Sequence, residues 1–180
     1  FVDGLRYTDE ETAEIVRMVL AGKINKSLVN LLESIGGKAV GLCGIDGHMM
    51  KCAVADEKLG YVGKITDLNA KVIKDVLDDG YIPVVATVGY DDEGHIYNVN
   101  ADTASAVIAG ALGARSLILM TDTAGVLRDK EDPTSLIDKI YVSDVPSYIK
   151  QGIISGGMIP KIECCREGIR RGVEKVFIID

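Results

Sequence analysis

The sequence predicts an α/β protein, a three-layer α/β/α sandwich with a mainly parallel sheet and an inserted β-meander or hairpin. Two observations predict this class. Segments 116–121 and 176–179 are short and largely apolar, as strands of a parallel sheet are when helices cover both of its faces. Segments with helical periodicity separate such strands, which is the alternation expected of strands joined by crossover helices.

Helices are predicted first. Thr8 and Glu11 have the spacing of a capping box, which predicts a helix beginning at the residue after Thr8, and Gly22 predicts its end. A second helix is predicted from Asn25, because apolar residues recur on one face until the glycine pair at 36 and 37.

Short β-prone segments follow at 39–43, 48–54 and 59–65. Glycine-rich turns join them, so we expect a meander in which Asp46-Gly47 is the two-residue turn of a hairpin. Beyond the meander we expect a helix over 67–80 and a strand over 81–88.

The second half of the sequence alternates helices and strands. A helix of small residues over 101–112 precedes the strand at 116–121. The further elements predicted are a strand at 137–142, helices at 145–150 and 158–171, and the strand at 176–179. We expect one domain over 1–180. Since the sequence lacks an initiator Met and stops directly after a strand, we expect a piece of a longer protein, truncated at both ends.

Composition excludes several classes of protein. The net charge is −7 and the basic residues are scattered, so a nucleic-acid-binding surface is not expected. No apolar run approaches the ~18 residues of a membrane span, and the four cysteines lack a C-x-x-C spacing, which favours reduced thiols. We expect a soluble, cytoplasmic protein whose cysteines serve packing.

A polar segment leads into the small-residue helix and carries Asn98, Asn100 and Asp102. Two amides can grip a carboxylate or amide substrate, and a carboxylate near a helix start can orient a lysine or a metal. The same residue types are favoured in turns and helix caps, so capping is an equal alternative from this segment alone.

Two other loops are candidates for binding phosphate. Gly156 and Gly157 precede a helix whose first turn contains Lys161, and bare N–H groups, a helix N-terminus and a lysine together suit an anion. An ordinary glycine-rich helix entry is the alternative. The loop over 122–127 follows a buried strand, where nucleotides often bind in α/β sheets.

Arg6, on a glycine turn, suits bidentate capture of a carboxylate, or is simply a solvated arginine.

Five segments taken in order resemble the signatures of acetylglutamate kinases, members of the amino-acid-kinase family. The resemblance covers essentially the whole chain. The segments are FVDGLRYTD from residue 1, GYVG from 60, YNVNAD from 97, LMTDTAGV from 119 and GGMIPK from 156.

The resemblance implies ATP-dependent phosphorylation of the side-chain carboxylate of N-acetyl-L-glutamate, in arginine biosynthesis. Arg6 would bind the substrate's α-carboxylate, Asn98 and Asn100 its polar groups, while Asp102 would organise the catalytic lysines and Lys161 would stabilise the transferring phosphoryl group. Mg²⁺ would arrive with ATP, and no protein ligand for a metal is assigned. The ATP site would be lined by Asp122, Thr123, Ala124, Gly125, Val126, Leu127, Gly156 and Gly157.

The resemblance also implies a homodimer or higher homo-oligomer. The family's glycine-rich loop with its lysine would lie upstream of Phe1, so we expect this chain alone to be inactive. Two alternatives remain open at this point: a sister kinase acting on an aminoadipate derivative, or a non-catalytic regulatory domain that binds nucleotide.

Overall fold

The computed structural model describes residues 7–129 and 131–180. Contacts divide the chain into two compact units, Phe1–Ala104 and Ser105–Asp180. Among the described residues, none of the helices combines the length and the apolar character that crossing a membrane would need.

The first unit opens with a continuous helical stretch. α1 (Glu10–Val16) passes through a wider, π-helical segment (Arg17–Ile24) into α2 (Asn25–Ser34). Gly22 was predicted to end the first helix. This is wrong, because the backbone remains helical at Gly22. The helix ends instead where Gly36 adopts a φ of +88°, a conformation that glycine takes without steric cost.

The N-terminal cap of α1 differs from the predicted capping box. Asp9 is the cap residue, and its carboxylate accepts a hydrogen bond of 2.8 Å from the Thr12 N–H. Thr8 is wholly buried instead. The predicted capping box is wrong because Thr8 packs in the interior of the unit and does not cap the helix.

A parallel pair of strands follows the helices. β1 (Ala39–Cys43) pairs in parallel with β4 (Ile82–Ala86), and α3 (Lys71–Asp78) lies between them in sequence. The predicted hairpin at Asp46-Gly47 is wrong. These two residues lie in a 3₁₀ turn, where the Asp46 carboxylate accepts the Cys43 N–H at 2.7 Å and turns the chain away from β1.

Four strands close into a small barrel in the order β2 (Met50–Val54), β3 (Val62–Leu68), β6 (Ile96–Val99) and β5 (Val88–Tyr90). The β2–β3 and β5–β6 pairs are antiparallel, whereas β3 pairs with β6 in parallel. The single strand predicted over 81–88 is thus divided, since β4 belongs to the parallel pair and β5 to the barrel.

Cys52 is a packing cysteine, as expected. A Cβ on Gly89 would lie 2.3 Å from its sulfur and one on Gly63 3.2 Å from it, so glycines on two neighbouring strands make room for the thiol. Burial raises the pKa of Cys52 to about 11, which keeps it protonated at neutral pH.

Asn25 ties α2 to the parallel pair. Its side-chain amide is buried and donates to the carbonyls of Leu42 at 3.1 Å and Val84 at 2.7 Å, one in each strand. The Asn25 Oδ1 has no hydrogen-bond partner among the described residues, and it packs directly on Gly41, where a Cβ would come within 1.9 Å of it. Only glycine fits here without displacing the amide.

We therefore expect Gly41→Ala to lower the free energy of unfolding by about 2–3 kcal/mol, through overpacking and weakened Asn25 hydrogen bonds. Gly22→Ala is the matched control, because a Cβ there meets nothing within 4 Å and alanine favours a helix. Denaturant unfolding of both variants of the complete gene product checks this. Equal stability of the two variants would contradict it.

The second unit is built on another parallel pair. β7 (Ser116–Met120) pairs with β8 (Lys175–Ile179), and α4 (Ala101–Leu112) runs into this unit from the first. One face of the pair packs against α4 and α6 (Met158–Arg170) through Ala106, Ala109, Leu117, Leu119 and Cys164. The opposite face carries Ile118 and Met120, which are 56% and 77% exposed.

Element prediction in this unit is mostly confirmed. α4, the short helix α5 (Val145–Lys150) and α6 lie within one residue of their predicted bounds. The strand predicted at 137–142 is wrong. Residues 137–142 form no strand, and the isolated bridge between Leu127 and Leu136 is the only pairing beside them in the described part of the chain. The α/β class with parallel strand pairs is confirmed.

Candidate active site

Asn98, a predicted substrate ligand, lies half-buried on β6. Its backbone N–H donates to the Tyr61 carbonyl at 2.9 Å, and its side-chain Nδ2 donates to Thr8 Oγ1 at 3.2 Å. Parallel pairing of Val62 with Asn98 fixes the register at this point. The amide is therefore held at a known place on a barrel strand.

Thr8, Tyr61 and Asn98 form a closed ring of hydrogen bonds. The Tyr61 N–H donates to the Thr8 carbonyl at 2.7 Å, so each of the three residues is bonded to the other two. Thr8 N–H also donates to the Leu59 carbonyl at 3.0 Å. The intervening Gly60 has a φ of +66°, and a Cβ there would lie 2.3 Å from the Thr8 carbonyl oxygen, so only glycine permits this approach.

Asn100 acts as the cap of α4. Its Oδ1 accepts the Thr103 N–H at 3.0 Å and the Thr103 hydroxyl at 3.2 Å. Of the two interpretations that the sequence left open, capping is therefore present at this residue, while substrate binding by Asn100 stays a prediction. Asp102 lies half-buried in the first turn of the same helix.

Sequence reasoning missed Asp91, which organises the turn between β5 and β6. Its Oδ1 accepts the N–H groups of Glu93 at 3.0 Å and His95 at 2.9 Å. Its Oδ2 accepts the Tyr97 hydroxyl at 2.9 Å and lies 2.9 Å from His95 Nδ1. The separation of four residues between Asp91 and His95 was the only signal of this cluster in the sequence.

This cluster shifts the ionisation of its members. Burial alone would raise the pKa of Asp91, but hydrogen bonds from His95, Tyr97 and the main chain outweigh it and lower the pKa to about 2. Burial and the hydrogen bond to Asp91 raise the pKa of Tyr97 to about 12. The hydrogen bond to Asp91 raises the pKa of His95. Side chains of Asp91, Glu93 and His95 approach within 4.8 Å, but the Asp91 oxygens already accept protein donors.

We expect the Asp91 carboxylate to stabilise the fold above about pH 4 and to lose this effect as the pH falls towards 2, because its pKa in the folded state is the lower one. Asp91→Asn should therefore destabilise the complete gene product at pH 7, and the difference should shrink between pH 4 and pH 2. Urea unfolding at several pH values measures it. The exposed Asp78→Asn is the control, and a difference that does not vary with pH would contradict the expectation.

The predicted nucleotide loop divides into an exposed and an anchored part. Asp122, Thr123 and Ala124 are exposed directly after β7. Val126 is buried, and its carbonyl accepts the Ile137 N–H at 2.9 Å. Between them Gly125 has a φ of +133°, and Leu127 bridges to Leu136. The first half of the loop is therefore exposed to solvent, while Val126 and Leu127 hold its second half in place.

The glycine pair before α6 has the open geometry that a ligand needs. Gly156 has a φ of +57°, Gly157 is the cap residue of α6, and a Cβ on either would meet nothing within 4 Å among the described residues. Packing therefore does not require Gly157, while the backbone at both positions is accessible. Lys161 lies half-buried in the first turn of this 13-residue helix.

One apolar cluster joins these two segments. Val126 from the loop packs with Ile162 from α6, together with Val145 and Ile154. Because Ile162 directly follows Lys161, the loop and the first turn of α6 are anchored on the same apolar cluster. The structure thereby brings together the two segments that sequence reasoning assigned to phosphate binding. Arg6, the predicted carboxylate ligand, lies outside the described residues.

The chain is similar to known proteins along its whole length. An acetylglutamate kinase from Brachyspira hyodysenteriae is 54% identical over 182 residues, which is 100% of this chain and 63% of the relative. One from Clostridium kluyveri is 51% identical over 182 residues, covering 100% of this chain and 64% of the relative. This chain therefore spans less than two thirds of these relatives.

A solved structure gives the fold independently. The crystal structure of smu.665 from Streptococcus mutans UA159 has a TM-score of 0.91 and 34% identity, covering 100% of this chain and 72% of that one. The family model of the amino acid kinases matches residues 2–180. The predicted fold is thereby confirmed, and the chain belongs to the amino acid kinase family.

Proposed function

We propose that this chain is part of an enzyme that transfers the γ-phosphoryl group of ATP to the side-chain carboxylate of N-acetyl-L-glutamate, in arginine biosynthesis. The observation that carries the proposal is that relatives named acetylglutamate kinase are about half identical along the entire chain. In this proposal the two candidate binding regions, around Asn98 and around Gly156, would supply the hydrogen-bond donors that such a reaction needs.

Residues of the first unit would bind the acceptor. We propose that Arg6 binds the α-carboxylate of acetylglutamate, and that Asn98 and Asn100 bind its polar groups through amide donors and acceptors. The attacking carboxylate is ionised at pH 7, so no general base is needed. This agrees with a site of amides and an arginine.

Residues of the second unit would bind the nucleotide. We propose that 122–127 and the glycine pair line the ATP site and that Lys161 neutralises charge on the moving phosphoryl group. Asp102, which belongs to the first unit, would orient the catalytic lysines. Mg²⁺ prefers oxygen ligands, and the exposed carboxylate of Asp122 is compatible with an ion carried on the phosphates. Such an ion would supply further charge neutralisation.

We also propose that the protein is a cytoplasmic homo-oligomer. The helical stretch from Glu10 to Ser34 exposes an apolar series consisting of Ile15, Met18, Val19, Ile24, Leu28 and Leu31. An exposed apolar face of this kind suits an isologous two-fold interface, in which the same face of each copy is covered by the other. Light scattering of the complete gene product tests the oligomeric state. The cytoplasmic location is proposed because the four thiols fit a reducing compartment.

The test of function is ADP release by the complete gene product with ATP, Mg²⁺ and N-acetyl-L-glutamate. N-acetyl-L-aspartate, one methylene shorter, is the control acceptor and should be a poor substrate. We expect the 180-residue chain alone to release no appreciable ADP. ADP release that does not depend on acetylglutamate would overturn the proposal.

A further inference from the structure

We propose that Thr8 is a positioning residue of the acceptor site, which sets the orientation of the Asn98 side-chain amide. The inference rests on the proposed binding of substrate by Asn98. Thr8 is wholly buried, so it does not itself meet a ligand. Its Oγ1 accepts a hydrogen bond of 3.2 Å from Asn98 Nδ2.

The Thr8 hydroxyl can set this orientation because its own backbone is fixed on both sides. Its N–H and its carbonyl are bonded to Leu59 and Tyr61, at 3.0 and 2.7 Å. Tyr61 in turn accepts the Asn98 N–H at 2.9 Å. The hydroxyl and the amide thus belong to the same ring of three hydrogen-bonded residues, which fixes their positions relative to each other.

An asparagine amide needs such a partner in order to be selective. The terminal torsion of asparagine is soft, and the amide presents two donors on one side and an acceptor on the other. A hydrogen bond from Nδ2 to Thr8 Oγ1 fixes the side on which the amide carries its donors and the side on which it carries its acceptor. The remaining donor and the Oδ1 then have defined directions before substrate arrives, which reduces the cost of binding it.

The ring also bears on Arg6, which Thr8 follows by two residues. Thr8 links the segment that carries this predicted carboxylate ligand to the strand that carries Asn98.

The test compares Thr8→Val, which removes the hydroxyl and keeps the shape, with Thr8→Ser, which keeps the hydroxyl. In the complete gene product, Thr8→Val should raise KM for acetylglutamate about threefold to tenfold, the scale of one net hydrogen bond. KM for ATP should be unchanged and kcat should stay within about twofold. Thr8→Ser should restore KM to near the unmodified value.

Thr66→Val is the matched control, because it removes an exposed threonine hydroxyl from strand β3. It should leave both KM values unchanged. If Thr8 acts through Asn98, then Thr8→Val should have no further effect on KM in an Asn98→Ala background. Wild-type KM in Thr8→Val, equal losses in the valine and serine variants, or full additivity with Asn98→Ala would each overturn the proposal.

A measurement on the unmodified protein keeps the proposal testable if Thr8→Val does not fold. The side-chain amide protons of Asn98, identified by NMR through their loss in Asn98→Asp, should exchange slowly and show a nuclear Overhauser effect to the Thr8 side chain. Fast exchange without that effect would overturn the proposal. Absence of acetylglutamate-dependent ADP release would instead refute the proposed function and leave the NMR result to decide on Thr8.

Discussion

Replacing Lys161 by Met in the complete gene product is expected to lower kcat by about 10²–10³, the usual loss when one preorganised electrostatic contact is removed. The lysine stands in the first turn of α6 behind Gly156 and Gly157, where its charge adds to the partial positive charge of the helix end. Charge develops on the phosphoryl oxygens during transfer, so the contact should strengthen in the transition state. KM for acetylglutamate should therefore move little.

Methionine keeps most of the volume of the lysine stem, so loss of folding is not expected. Lys150→Met is the matched control, because it removes a charge from an exposed position in the last turn of α5. Steady-state kinetics of both variants, together with their unfolding curves, separate catalysis from stability. A Lys161→Met enzyme with unchanged kcat would mean that α6 is an ordinary helix and that phosphate is bound elsewhere.

The fold was predictable where local chemistry decides the structure. The segment 101–112 is rich in alanine and the first turn of α6 contains a proline, both of which favour a helix locally, and both helices were predicted nearly to the residue. The segments at 39–43 and 48–54 were also recognised as strands, but their pairing was not. Pairing of β1 with β4 depends on contacts across forty residues of sequence, which hydrophobic periodicity does not encode.

The candidate site shows the same limit. Residue types near a helix start made Asn98, Asn100 and Lys161 candidates, because amides suit a carboxylate and a lysine behind bare N–H groups suits an anion, and their binding roles stay predictions. Thr8 was misread as half of a capping box, since its partner Asn98 lies ninety residues away. Asp91 was missed because a carboxylate in a polar loop is usually solvated, and only the folded turn between β5 and β6 shows that groups of Glu93, His95 and Tyr97 converge on it.

Arg6→Ala is expected to have the opposite kinetic signature to Lys161→Met. The α-carboxylate of acetylglutamate keeps its charge throughout the reaction, so an arginine that binds it does so equally in the ground and transition states. Removing a hydrogen-bonded charge of this kind should raise KM for acetylglutamate by about 10- to 100-fold and leave kcat and KM for ATP nearly unchanged.

Two further variants make the result specific to a forked, bidentate contact. Arg6→Lys keeps the charge but loses the planar fork, so its KM should fall between those of the unmodified and alanine enzymes. Arg115→Ala removes an exposed arginine that pairs only with Glu174 among the ion pairs of the described residues, and it should leave KM unchanged. If Arg6→Ala lowered kcat and left KM for acetylglutamate intact, Arg6 would act on the transferring phosphoryl group, and the acceptor carboxylate would have to be bound by another cation.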